Sequence, residues 1–122
     1  MAHPERVPNY LRQILESIEF AQRYLADCDL PGFEHNTLLQ DAVIRRLEII
    51  GEAARRIETA DENFIGTYPH LQLNKAYGMR NRLSHAYDAV NVELVWDVVQ
   101  QYLPGMAQAI RDFLQHYPAS ER

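Results

Sequence analysis

The chain has 122 residues, of which 47% are apolar and 24% charged. That is the size and composition of one folded domain spanning residues 1–122, and it argues against a disordered chain. The net charge of −5 argues against a broad, non-specific nucleic-acid surface. It leaves room for a local basic cleft, because the sign of charge at a site matters more than the sum. No apolar run reaches the roughly 18 residues of a membrane span. The polar start, Met1-Ala2-His3-Pro4-Glu5-Arg6, has no signal-peptide core. Cys28 is the only cysteine, so no internal disulfide can form, which suits the cytoplasm.

In chain order, Leu11, Ile14, Leu15, Ile18, Ala21 and Leu25 fall at helical spacing and predict a first helix from about Pro8 to Asp27. Asp27 to Asn36 reads as a loop, with Pro31-Gly32 as a turn and Asn36 or Thr37 as the cap of the next helix. That second helix, Leu38 to Thr59, carries the seam Val43, Leu47, Ile50, Ala54 and Ile57. A second apolar row beside it, Leu38, Ala42, Ile49 and Ala53, predicts burial on more than one side and contact with another subunit, hence a homodimer. Gly51 implies a close helix approach, and Asp41–Arg45 and Glu52–Arg56 are expected ion pairs.

Asp61 to Gln72 reads as a connection broken by Gly66 and Pro69. A short third helix is expected from Asn74 to Ser84. Asn91 can cap a fourth that runs to about His116, with Val95, Val98, Tyr102, Met106, Ala109 and Phe113 as its main stripe. Pro104 lacks the amide that would bond Gln100, so a kink or brief break is expected there. The fold class is therefore all-α: an antiparallel bundle of four to five helices with a kinked last helix.

One stretch stands apart. Arg80-Asn81-Arg82-Leu83-Ser84-His85-Ala86-Tyr87 gathers two guanidiniums, an amide, a hydroxyl, an imidazole and a phenol. From Leu71 to Tyr87 the charged residues are Lys75, Arg80 and Arg82, with no acid among them. This set permits phosphodiester cleavage. The imidazole of His85, with an ordinary pKa of about 6.5, can take or give a proton. The guanidinium of Arg80 can hold a phosphate and stabilise transition-state charge. Asn81 and Ser84 could orient either group, with Lys75 and Arg82 as further RNA-binding candidates. In RNA the 2′-hydroxyl is a built-in nucleophile, so the protein need supply none. No cofactor is called for and no metal is implied: His3, His35, His70, His85 and His116 are scattered without ligand spacing. Arg80 and His85 stand about 140° apart on an ideal helix. They meet only if the helix ends near His85, if Arg80 reaches round, or if two chains pair. On the residues alone, His85 as a helix C-cap with solvated arginines accounts for the same octad.

Arg80-x4-His85-x-Tyr87 matches the Arg-x4-His-x-Tyr signature of the HepT-like branch of the HEPN superfamily. The resemblance extends through Leu47-Glu48-Ile49-Ile50-Gly51-Glu52-Ala53-Ala54, Tyr68-Pro69-His70, Met79-Arg80-Asn81-Arg82-Leu83, and Trp96-Asp97-Val98-Val99 with Leu103-Pro104. The tryptophan that often follows the family's loop proline is missing here. The resemblance implies a dimeric HEPN-like bundle acting as a ribonuclease toxin, paired with a nucleotidyltransferase antitoxin. It implies catalytic Arg80 and His85 with Asn81 in support, two motifs facing one cleft, and Tyr87 as the acceptor of AMP from the partner. The expected activity is metal-independent cleavage of RNA leaving a 2′,3′-cyclic phosphate. The alternative is a non-catalytic dimeric module that binds a nucleotidyltransferase or a nucleotide.

Overall fold

The computed structural model describes residues 2–84 and 91–116, with 80–84 described as backbone. The described residues are helices and their connections, with no strand among them. The chain folds as the expected all-α bundle.

Helix α1 (Val7–Tyr24) begins with Pro8 in its first turn, where a missing amide costs nothing. Its buried positions are Val7, Pro8, Leu11, Ile14, Ser17, Ile18 and Ala21, a single face at helical spacing. The helix ends at Tyr24, about a turn before the expected Asp27, where the Leu25 amide donates back to the Ala21 carbonyl. The stretch expected to be a loop instead holds a short helix, α2 (Leu30–Glu34). Its start is built by Asp29, whose carboxylate accepts from the Gly32 amide at 2.8 Å. A Cβ on Gly32 would lie 2.9 Å from that same carboxylate oxygen, so the cap itself selects glycine. Phe33 is fully buried, its ring 5.8 Å from that of Trp96, which anchors α2 to the far end of the chain.

Helix α3 (Thr37–Ala60) is the centre of the bundle, packed against α1 along much of its length. The cap is Asn36, which accepts from the Leu39 amide at 3.0 Å. All five seam residues, Val43, Leu47, Ile50, Ala54 and Ile57, are buried. Gly51 is buried with them. The second row divides. Ala53 is covered by the chain's own packing, Ala42 and Ile49 are half-buried, and Leu38 is 81% exposed. The exposed apolar face is thus narrower than the row suggested. Glu52 and Arg56 approach to 3.7 Å as expected, while Arg45 approaches Glu48 at 3.8 Å rather than Asp41. Such exposed pairs add little stability.

The segment after α3, expected to be a plain connection, contains helix α4 (Phe64–Thr67) and a 3₁₀ turn, Pro69–Leu71. Aromatic packing holds them. Phe64 stands edge-on to Phe113 at 5.4 Å, and Tyr68 packs on both, at 4.8 and 5.0 Å. Helix α5 (Leu73–Ser84) follows and packs on α3. The last helix is one continuous rod in three parts: α6 (Val92–Asp97), a π-helical turn (Val98–Tyr102), and α7 (Leu103–His116). Asn91 caps it as expected, accepting from the Leu94 amide at 3.0 Å. The disturbance expected at Pro104 takes the form of that wide turn. Pro104 has no amide for the Gln100 carbonyl, and its ring would crowd that carbonyl in a regular α-turn. The chain relieves both by shifting register just before the proline, so the Leu103 amide donates to the Val98 carbonyl. α7 returns along α1, where Arg111 and Glu19 pair at 3.2 Å. Among the described residues, no helix is long and apolar enough to cross a membrane.

Candidate active site

The site is organised by α5, and α5 is set in place at its first turn. Gln72 adopts a left-handed conformation, φ 58° and ψ 32°, which turns the chain out of the 3₁₀ segment and into the helix. Its carbonyl accepts from the amides of Lys75 and Ala76, at 3.2 and 3.4 Å. The same carbonyl accepts from the hydroxyl of Tyr102 at 2.9 Å, thirty residues away in the π turn. Burial pushes the Tyr102 phenol up to about 12, so it remains a neutral donor throughout the ordinary pH range. The start of α5 is thereby tied to the last helix.

Along α5, Leu73, Ala76 and Met79 are buried, Tyr77 is half-buried, and Asn74, Lys75 and Gly78 are exposed. Helical register at about 100° per residue relates these positions to those of the motif. Position 80 lies two turns beyond Leu73, and position 84 follows one turn later. Position 82 lies two turns beyond Lys75, and position 81 lies one turn beyond Tyr77. Arg80, Asn81, Arg82 and Ser84 therefore occupy the final turn and a half of α5, with Lys75 two turns upstream. His85 and Tyr87, the base and the modification acceptor expected from the sequence, lie outside the described residues. Ser84 and the Asn91 cap bracket the intervening six positions.

Four other histidines are described. His35 donates to the Pro31 carbonyl at 2.7 Å and His116 to the Asp112 carbonyl at 2.8 Å, each closing its own helix end. His3 pairs with Glu5 at 3.2 Å, and His70 stands edge-on to Tyr68. Among the described residues, no group of three His, Cys, Asp or Glu side chains is arranged to hold a metal ion.

One feature beside the motif was not visible in the sequence. A groove of about 560 Å³ runs between α5 and the last helix, lined by Lys75, Gly78, Met79, Leu94, Val98 and Tyr102. Leu94 is 38% exposed at its edge. The groove joins residues of two segments far apart in the chain, so no local pattern could reveal it.

Comparison with known proteins identifies the family. The sequence profile of a family described as "Ribonuclease HepT-like" matches residues 14–113. The chain is 34% identical over 98 residues to a Thermococcus cleftensis protein named "Probable ribonuclease HepT", covering 80% of this chain and 86% of that one. It is 34% identical over 104 residues to a Methanocaldococcus jannaschii protein provisionally named an RNase, covering 85% of this chain and 93% of the relative. A longer protein of that organism, named a gamma-glutamylcyclotransferase and provisionally an RNase, is 37% identical over 106 residues; the match covers 87% of this chain and 46% of the relative. No solved structure gives a significant match. The chain belongs to the HepT-like ribonuclease family.

Proposed function

We propose that this protein is a metal-independent endoribonuclease, the toxin of a two-component pair whose antitoxin is a nucleotidyltransferase. The observation that carries the reading is the sequence motif Arg80-x4-His85-x-Tyr87, whose Arg80 lies in the last turns of α5, in a chain of the HepT-like ribonuclease family. In this scheme His85 acts as the base that removes the proton of the RNA 2′-hydroxyl. The 2′-oxygen attacks the adjacent phosphorus, the 5′-oxygen leaves with a proton, and a 2′,3′-cyclic phosphate remains. Arg80 holds the non-bridging oxygens and stabilises the added negative charge. Asn81 supports the arrangement, and Lys75, Arg82 and Ser84 contact the strand.

Two copies build the cleft. The narrowed apolar edge of α3, from exposed Leu38 past Ala42 and Ile49, offers a surface for pairing. The antitoxin adds AMP to Tyr87, which places charge and bulk at the mouth of a cleft that must admit a polyanion. The protein acts in the cytoplasm.

The net charge of −5 favours a second reading: a non-catalytic dimeric module that binds the nucleotidyltransferase or a nucleotide, with Arg80 contacting phosphate only. Incubation of the purified protein with RNA in EDTA separates the two. Fragments ending in 2′,3′-cyclic phosphate are expected of the nuclease. Intact RNA, or cleavage that requires added Mg²⁺, would overturn it.

A further inference from the structure

We propose that the groove between α5 and the last helix is a nucleobase subsite, which receives an unstacked base of the RNA strand next to the scissile phosphate. The inference rests on the ribonuclease reading and assigns the groove a role in it.

The first observation is Gly78. It sits in the interior of α5, where glycine is the least favourable residue after proline. Its φ is not positive, so backbone geometry does not require it. A Cβ built there would meet nothing within 4 Å, so the chain's own packing does not require it either. Gly78 lines the groove, and its missing side chain keeps that wall open. The second observation is the chemistry of the lining. Met79, Leu94 and Val98 supply an apolar slot, while Lys75 places an ammonium on the exposed arc of α5. Among the described residues Lys75 has no carboxylate partner, and neither Glu93 nor Asp97 of α6 lines the groove. A slot that is apolar inside and cationic at its edge fits a ligand with a flat apolar body tethered to an anion, as a nucleotide is. The third observation is continuity: position 82 follows Gly78 by one turn on the same helix, so a strand laid along the motif passes the groove. Its volume, about 560 Å³, is ample for a base and its sugar. Proteins that read single-stranded RNA commonly splay bases out of the stack into such sites.

The test uses the His85→Ala protein, so that RNA stays intact, and a fluorescent single-stranded pentanucleotide together with versions lacking one base at each position in turn. Anisotropy should show that loss of one particular base weakens binding on the order of tenfold. Gly78→Ala, which adds a methyl to the groove, should weaken binding of the intact strand similarly and erase the penalty for that missing base. The same substitution should raise the thermal unfolding temperature, because alanine favours the helix. Leu94→Glu, a change at an exposed position, should also weaken binding of the intact strand. Undiminished binding by Gly78→Ala, an unchanged missing-base penalty, or no RNA binding at all would overturn the proposal. So would a drop in oligomeric mass in Gly78→Ala, which would mark the groove as covered by a second copy. Failure of the ribonuclease reading is seen separately, as intact RNA in a wild-type cleavage assay.

Discussion

Tyr102→Phe isolates the contact that ties α5 to the last helix. The change removes one hydroxyl and leaves the ring. The lost bond is that from the hydroxyl to the Gln72 carbonyl, 2.9 Å long. That carbonyl keeps the amides of Lys75 and Ala76, at 3.2 and 3.4 Å, so no buried acceptor is left without a donor. The cost should therefore be that of one ordinary hydrogen bond, about 1 kcal/mol. For a domain of this size that corresponds to a fall of about 4 °C in unfolding temperature. The phenol adds a pH signature. At pH values below its ordinary 10.0 it is neutral in both folded and unfolded chains. As pH rises from there towards about 12, the unfolded chain ionises this group and the folded chain resists, so stability is lost across that window. Thermal unfolding followed by circular dichroism between pH 8 and pH 11 should thus show wild type losing its advantage over Tyr102→Phe at the alkaline end. A loss at pH 8 of more than about 3 kcal/mol, beyond any single neutral hydrogen bond, would refute the assignment. So would a difference between the two proteins that stays constant with pH.

Asn36→Ala should destabilise the protein by about 1 kcal/mol, because the Leu39 amide loses its acceptor at the start of the central helix; chemical denaturation measures it. Phe33→Ala should cost about 3–5 kcal/mol, since the ring is fully buried against Trp96; retained stability in the same assay would show that α2 packs otherwise. Tyr87→Phe should fold normally and take no AMP when incubated with the nucleotidyltransferase, ATP and Mg²⁺. Intact-mass spectrometry checks this, and equal modification of both proteins would place the acceptor elsewhere.

The long helices were legible because each carries one dominant apolar face: the α1 stripe and the α3 seam are buried as their spacing requires. The caps Asn36 and Asn91 were legible for a local reason, a short polar side chain just before an apolar run. The short helices α2 and α4 were not. Pro31-Gly32 and Gly66 read as breakers, while the forces that make these segments helical are the Asp29 cap and the distant rings Trp96 and Phe113. Pro104 signalled a disturbance, but not that a wide turn would absorb it without breaking the rod. The motif stood out because eight consecutive residues hold its polar groups. The groove beside it could not, because Gly78 and Val98 are brought together only by packing, as are Gln72 and Tyr102.

The most direct measurement is RNA cleavage by wild type, His85→Ala and Arg80→Ala, each first shown by circular dichroism to unfold cooperatively. In EDTA, wild type should cut RNA, His85→Ala should leave it intact, and Arg80→Ala should be slower by roughly 10²-fold or more. Cleavage by His85→Ala at the wild-type rate would contradict the assignment of His85 as the base, and with it the proposed mechanism.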